Sequence, residues 1–154
     1  MRIVVAVVGR ARHRSLGAAA VEYEERAARY WPLEVREVRE EPSRAASADR
    51  VREREGERLL EAAPDRAHVV ACDPGGTAMS SEAFSAWLQR ERERGVDVCF
   101  MIGGAHGLSD AVRKAARTRL SLAPWTLPHE LARLVLAEQL YRAGTIVRGE
   151  PYHK

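Results

Sequence analysis

Three short segments of this 154-residue chain have the composition of ligand-holding loops. Asp73-Pro74-Gly75-Gly76-Thr77 carries turn chemistry. Gly103-Gly104-Ala105-His106-Gly107 resembles a phosphate-cradling loop, but it lacks the Lys-Ser/Thr of a P-loop and the full spacing of the dinucleotide fingerprint. Alone it reads first as a tight strand-to-helix turn. Ala123–Leu127 is a third irregular stretch, followed by Pro128 and His129. Glu138 and Arg142 form an i, i+4 pair in the favoured acid-before-base order. They lie beside the apolar residues Leu131 and Val135, so the pair is read as a bridge at an interface or as part of a site. Cys72 and Cys99 sit inside apolar runs and read as free thiols. No Cys/His cluster has metal-ligand spacing, so no metal is expected.

The elements that must position these loops alternate regularly. Arg2–Val8, Leu33–Val38, His68–Cys72, Val96–Ile102 and Arg119–Leu122 read as strands. Helices are expected from a Ser15 cap to about Tyr30, from Ser47 to about Ala63, from Ser81 to about Arg94, and from a Ser109 cap to about Arg117. The last helix is expected with Pro128 at its first position, running to about Ala143, before a tail at Gly144–Lys154. The pattern predicts one α/β domain over residues 1–154: a mostly parallel sheet with helices on both faces. Ligands of such sheets bind beyond the carboxyl ends of the strands, which is where all three loops fall.

Composition narrows the class. The chain is 45% hydrophobic and 31% charged, which suits a folded globule. No apolar run approaches the ~18 residues of a membrane span. MRIVVAVVG reads as a first strand and not as a signal peptide, so a cytoplasmic protein is expected. Residues 1–98 hold 17 Lys+Arg against 18 Asp+Glu, and residues 99–154 hold 8 against 4. The positive excess is therefore C-terminal. A second basic cluster, Arg10, Arg12 and Arg14 with His13, follows the first strand. Localised positive charge suits a polyanionic partner. The last helix carries Leu131, Leu134, Val135, Leu136, Leu140 and Tyr141 around most of its circumference, which asks for burial on more than one side.

In order and spacing, VVACDPGG, FMIGGAHGLS, LSLAPWTLPHELARLVLAEQLYRA and RGEPYHK resemble the ribosomal RNA large subunit methyltransferase H family. These are SPOUT-class enzymes that methylate N3 of a pseudouridine in 23S rRNA. The resemblance runs from MRIVVAVVG to the last residue and is densest from Ile102 onward. It implies a C-terminal trefoil knot, a homodimer with the last helix at its interface, S-adenosyl-L-methionine as methyl donor, and the assembled ribosome as substrate. It also implies donor contacts from Cys72, where many relatives have leucine, from Gly103, and from Leu122, Ala123, Pro124, Trp125, Thr126 and Leu127. Pro124 and Trp125 depart from the usual pattern, but contacts made by backbone survive such changes. His153 is the candidate base for the acceptor imide, since histidine titrates at about pH 6.5. Arg142 is a candidate for stabilising the developing anion. Arg10, Arg12, Arg14, Tyr152 and Lys154 are candidate RNA contacts. Other readings are a SPOUT methyltransferase acting on another RNA such as tRNA, and a non-catalytic ribosome-binding α/β module.

Overall fold

The computed structural model describes residues 1–44 and 46–153, with His153 described by its backbone alone. Its elements are β1 (Ile3–Val8), α1 (Arg14–Ala27), β2 (Leu33–Val38), α2 (Ala48–Glu61), β3 (His68–Ala78), α3 (Ser81–Glu93), β4 (Val98–Ile102), α4 (Asp110–Ala115), β5 (Thr118–Ser121) and α5 (His129–Val147), then a 3-10 turn at Pro151–His153. The five strands are parallel throughout, in the order β2-β1-β4-β3-β5.

β1 is apolar at every position because both of its faces are covered. Ile3, Val5 and Val7 join Ala27 and Trp31 near the end of α1, Leu88 of α3, and Leu136 and Leu140 of α5. Val4, Ala6 and Val8 face Leu59 of α2 and Val112 of α4. Helices therefore lie on both sides of the sheet, as the alternation predicts.

α5 is fastened along its length. The Trp31 indole N–H donates to the Leu140 carbonyl at 2.8 Å, and the Ser85 hydroxyl donates to the Ala143 carbonyl at 2.9 Å. Arg133 is buried and pairs with Glu24 of α1 at 2.7 Å. The helix passes through Gly144 to Val147, beyond the end expected near Ala143. The reason is local: a Cβ on Gly144 would lie 2.3 Å from the Tyr30 ring, so that glycine serves close helix packing and not termination. Pro128 is the N-cap and not the first helical residue.

Ser47, Ser80 and Ser109 cap α2, α3 and α4 by accepting backbone N–H bonds. α1 departs from expectation, since its cap is His13, whose Nδ1 accepts from the Leu16 N–H, and not Ser15. A tertiary contact sets this start, because the Glu130 carboxylate of α5 binds the backbone N–H groups of Arg12 and His13.

A larger departure concerns β3. The strand does not stop at Cys72 but continues to Ala78. Cys72 and Thr77 both align with Leu120 of β5, so the intervening Asp73–Gly76 segment loops out as a bulge. The turn chemistry is real, because the Gly75 N–H donates to the Asp73 carboxylate at 3.0 Å. The turn simply lies inside a strand. Gly76 permits this: a Cβ there would sit 2.5 Å from the Arg119 carbonyl oxygen.

Candidate functional site

At the carboxyl ends of β4 and β5, beside the bulge within β3, a cavity of about 450 Å³ opens. The three glycine-rich or irregular segments form its walls, as strand-end binding in α/β sheets requires. Cys72, Asp73 and Pro74 come from the β3 bulge. Ile102, Gly103, Gly104, Ala105, Gly107 and Leu108 come from the loop after β4. Leu122, Ala123, Trp125, Thr126 and Leu127 come from the loop after β5, with Pro128, His129 and Ala132 at the start of α5. The size lies within the range of small-molecule sites, roughly 300–1,000 Å³.

The glycine loop is tightly folded. The Gly107 N–H donates to the Gly104 carbonyl at 3.0 Å, and Gly107 adopts a left-handed φ of 81°. A Cβ at Gly103 would stand 2.7 Å from the Gly107 carbonyl. The absence of a side chain there is thus demanded first by the loop's own backbone. Gly104 lies against Glu55 of α2, whose Oε1 a Cβ would approach to 3.0 Å. The loop after β5 is pinned at its start, where the Ser121 hydroxyl donates to the Ala123 carbonyl at 2.7 Å.

Electrostatics divide the walls. Desolvation by its apolar surroundings pushes the Cys72 thiol up to about 12, so it stays neutral and acts as apolar surface. Burial alone would raise the Asp73 carboxyl. The Gly75 N–H and the guanidinium groups of Arg119 and Arg113 outweigh it and hold the carboxyl down to about 2. Arg119 lies at 2.8 Å and Arg113 at 2.9 Å from the same oxygen. No group of three or more His, Cys, Asp or Glu among the described residues could hold a metal ion.

The structure thus assembles Cys72, Gly103 and the 122–127 loop around one cavity, although Pro124 is not among its lining residues. It also brings the basic cluster to the rim. Glu130 ties the Arg12–His13 backbone to the start of α5, and a Cβ on Gly9 would be 3.9 Å from the His129 ring. Arg10 and Arg14 are exposed, while Arg12 is paired with Glu40.

Arg142 and Tyr152 stand elsewhere in the single chain and do not line the cavity. Arg142 binds Glu138 at 2.6 Å, which raises its pKa further. The Tyr152 hydroxyl donates to the same Glu138 oxygen at 3.1 Å, and its ring lies 4.6 Å from that of Tyr141. Burial, then Tyr23 and Glu138, raise the Tyr152 pKa. The tail is therefore fastened to α5, helped by a 2.6 Å bond from the Tyr30 hydroxyl to Glu150. The His153 side chain and Lys154 lie outside the described residues.

Two features escaped the sequence reading. The Asp73–Arg113–Arg119 cluster joins three segments, and only the acid standing at a strand end hinted at it. Glu55 is 2% exposed, its Oε1 has no hydrogen-bond partner, and burial raises its pKa. Inside the highly charged run REREGER nothing marks it as the buried one.

A parallel α/β sheet with a glycine-walled cavity at the ends of its C-terminal strands defines an enzyme of the methyltransferase class once the comparisons are added. The family model described as "Predicted SPOUT methyltransferase" matches residues 1–153. The chain belongs to the SPOUT methyltransferases, and within them to the ribosomal RNA large subunit methyltransferase H family. It is 64% identical over 154 residues to the protein of that name from Gemmatimonas aurantiaca, covering 100% of each chain. Its identity to the protein of that name from Anaeromyxobacter sp. is 47% over 154 residues, again covering 100% of each. The crystal structure of TrmJ from Z. mobilis ZM4 shares the fold, with a TM-score of 0.53 and 18% identity over 93% of this chain and 70% of that one.

The methyl donor of this family is S-adenosylmethionine, and the cavity suits it. Leu122, Leu127, Ile102 and Cys72 line it with apolar surface, and a Cβ at Gly107 would meet nothing within 4 Å.

Proposed function

We propose that this chain methylates N3 of a pseudouridine in 23S rRNA within the assembled ribosome. The convergence of the 72–74, 103–108 and 122–129 segments on one cavity is the observation that carries this reading. Cys72, Gly103 and the backbone of residues 122–127 hold the donor. Bound there, S-adenosylmethionine supplies a methyl group on a positively charged sulfur. The protein's own work is to orient, to exclude water and to move one proton. The apolar walls keep water from the transfer. The acceptor N3–H must lose its proton as the N–C bond forms and the C–S bond breaks, and His153 is the residue assigned to take it. Arg142 is assigned to the negative charge that develops on the imide.

These last two roles require a second subunit. Leu131, Leu134, Val135, Glu138, Gln139 and Arg142 are all only half-buried and share one face of α5. Beside them a groove of about 330 Å³ is lined by Met79, Phe84, Leu122, Val135 and Gln139. A homodimer formed on that face covers it and carries the tail of one protomer toward the cavity of the other. A C-terminal trefoil knot belongs to the same reading. A cytoplasmic location follows from a ribosomal substrate.

The test is direct. Purified protein, labelled donor and ribosomes lacking the modification are incubated, and the methyl group is located by mass spectrometry of 23S rRNA fragments. One methyl on N3 of a pseudouridine is expected. Label confined to tRNA, or no transfer, overturns the proposal.

A further inference from the structure

Trp125 has no counterpart role in the donor site so described, because the loop around it serves through its backbone. Its side chain nevertheless lines the cavity and is 78% exposed, a costly position for the largest apolar side chain. Trp31 and Trp87, at 1% and 9% exposure, occupy the core as expected. Neither an aromatic neighbour nor a cation is stacked on Trp125 among the described residues, whereas Trp31 carries Arg92 at 3.9 Å and Trp87 contacts His68, Phe84 and Phe100. The loop that carries it is anchored at its start by the Ser121–Ala123 hydrogen bond and runs into Pro128 at the cap of α5.

Charge completes the surface. Arg10 and Arg14 are exposed and enter no ion pair among the described residues. Through the bonds from the Arg12 and His13 backbone to Glu130, this cluster is fixed to the same end of α5 that the Trp125 loop leads into. The backbone of the basic cluster therefore sits at the end of α5 that borders the cavity, the end into which the exposed Trp125 loop leads.

We propose that the Trp125 indole is the stacking platform for an unpaired base of the substrate RNA at the mouth of the donor cavity, with Arg10 and Arg14 on the adjoining phosphates. The inference rests on the RNA-methyltransferase reading above. Aromatic side chains bind unpaired bases by their faces, and the basic flank supplies the backbone contacts that such binding needs. A base must leave its stack to meet the donor, and a platform at the cavity mouth compensates for the stacking it loses.

The experiment compares wild type, Trp125→Ala and Trp125→Phe in steady-state methyl transfer to unmodified ribosomes, with calorimetry of S-adenosylhomocysteine binding alongside. Loss of one base–aromatic stack is expected to raise the ribosome KM about tenfold in Trp125→Ala. Phenylalanine restores it to within about threefold, because it keeps a stacking face. Affinity for S-adenosylhomocysteine changes less than about threefold in both, because the donor is held by backbone. Since Trp31 and Trp87 are buried, iodide-quenchable emission reports Trp125 alone, and it is expected in the free protein. An unchanged KM in Trp125→Ala overturns the platform, as does a parallel loss of S-adenosylhomocysteine affinity. So does an indole already shielded from iodide in the free protein, which would mean that a second copy covers it. Wild-type protein that transfers nothing to ribosomes defeats the functional reading itself, before any variant is compared.

Discussion

The Asp73 carboxylate and the Arg119 guanidinium meet at 2.8 Å across the bulge that interrupts β3. Arg119 belongs to β5, the strand that leads into the loop at residues 122–128, so one ion pair ties two walls of the cavity together. Arg113 of α4 joins the same oxygen at 2.9 Å, and Asp73 as a residue is 7% exposed.

Replacing Asp73 by Asn leaves the half-exposed Arg119 without its counter-charge and Arg113 with Asp110 alone, at 3.5 Å. Destabilisation of about 1–2 kcal/mol is expected, between the scales of an exposed and a buried pair. The pH dependence follows from the depressed pKa. The folded protein holds this carboxyl at about 2 against an ordinary 3.8. The unfolded chain therefore binds the proton more readily, so the contribution is complete above the ordinary value and is lost as pH falls toward 2. Urea midpoints measured from pH 5 to pH 2 should converge for wild type and D73N as the pH drops. A constant gap would contradict the assignment.

Glu55 should behave in the opposite sense. Burial raises its pKa above the ordinary 4.5 in the folded protein, so the folded state binds the proton more tightly than the unfolded chain does. Its effect is to lower stability as pH rises through the ordinary value toward the folded one. Glu55→Gln keeps an acceptor for the Glu41 N–H, which now lies at 3.1 Å from Oε2, and removes the charge. The variant is expected to be about 1 kcal/mol more stable than wild type near neutrality, with the advantage shrinking toward pH 4. Thermal melts across that range check this, and an advantage that grows on acidification would refute it.

Gly103→Ala should disturb the cavity by way of the protein. The new Cβ would meet the Gly107 carbonyl at 2.7 Å, forcing the loop open. Overpacking of this kind costs about 1–3 kcal/mol, and donor affinity should fall at least about tenfold as the loop shifts. Calorimetry with S-adenosylhomocysteine and a thermal melt of the same sample measure both effects. Unaltered binding would show that this loop does not hold the donor.

Removing Pro151–Lys154 separates catalysis from folding. Tyr152 covers Tyr141 and binds Glu138, so a modest stability loss of about 1 kcal/mol is expected. Donor affinity should persist, because Pro151 and Tyr152 line no part of the cavity within one chain. Methyl transfer to ribosomes should drop by at least about a hundredfold if His153 takes the proton, the lower range for a general base. Full transfer by the truncated protein would dismiss the tail from the chemistry.

Strand and helix identities were legible in the chain because each follows from local patterning. The all-apolar β1 announced a doubly covered strand, and Ser47 and Ser109 announced two helix starts. The three loops were legible as ligand loops because glycine and proline punctuate strand ends. The boundaries that failed did so where distant residues intervened. Glu130 captures the Arg12 and His13 N–H groups and makes His13 the cap. Tyr30 fits over Gly144 and lets α5 run on. β5 resumes pairing with β3 beyond the bulge and turns an expected strand end into a detour.

What the chain alone determined is the order of its elements, the loops that could hold a donor, and the family its motifs resemble, since all of these reside in residue types at fixed spacing. Only the folded molecule decided that Asp73 is the knot of charge joining two loops, that Glu55 is buried without a full set of partners, and that Trp125 stands exposed where the other two tryptophans are buried. Those facts depend on pairs more than forty residues apart or on which side chains the solvent still reaches. Spacing along a chain carries no record of either.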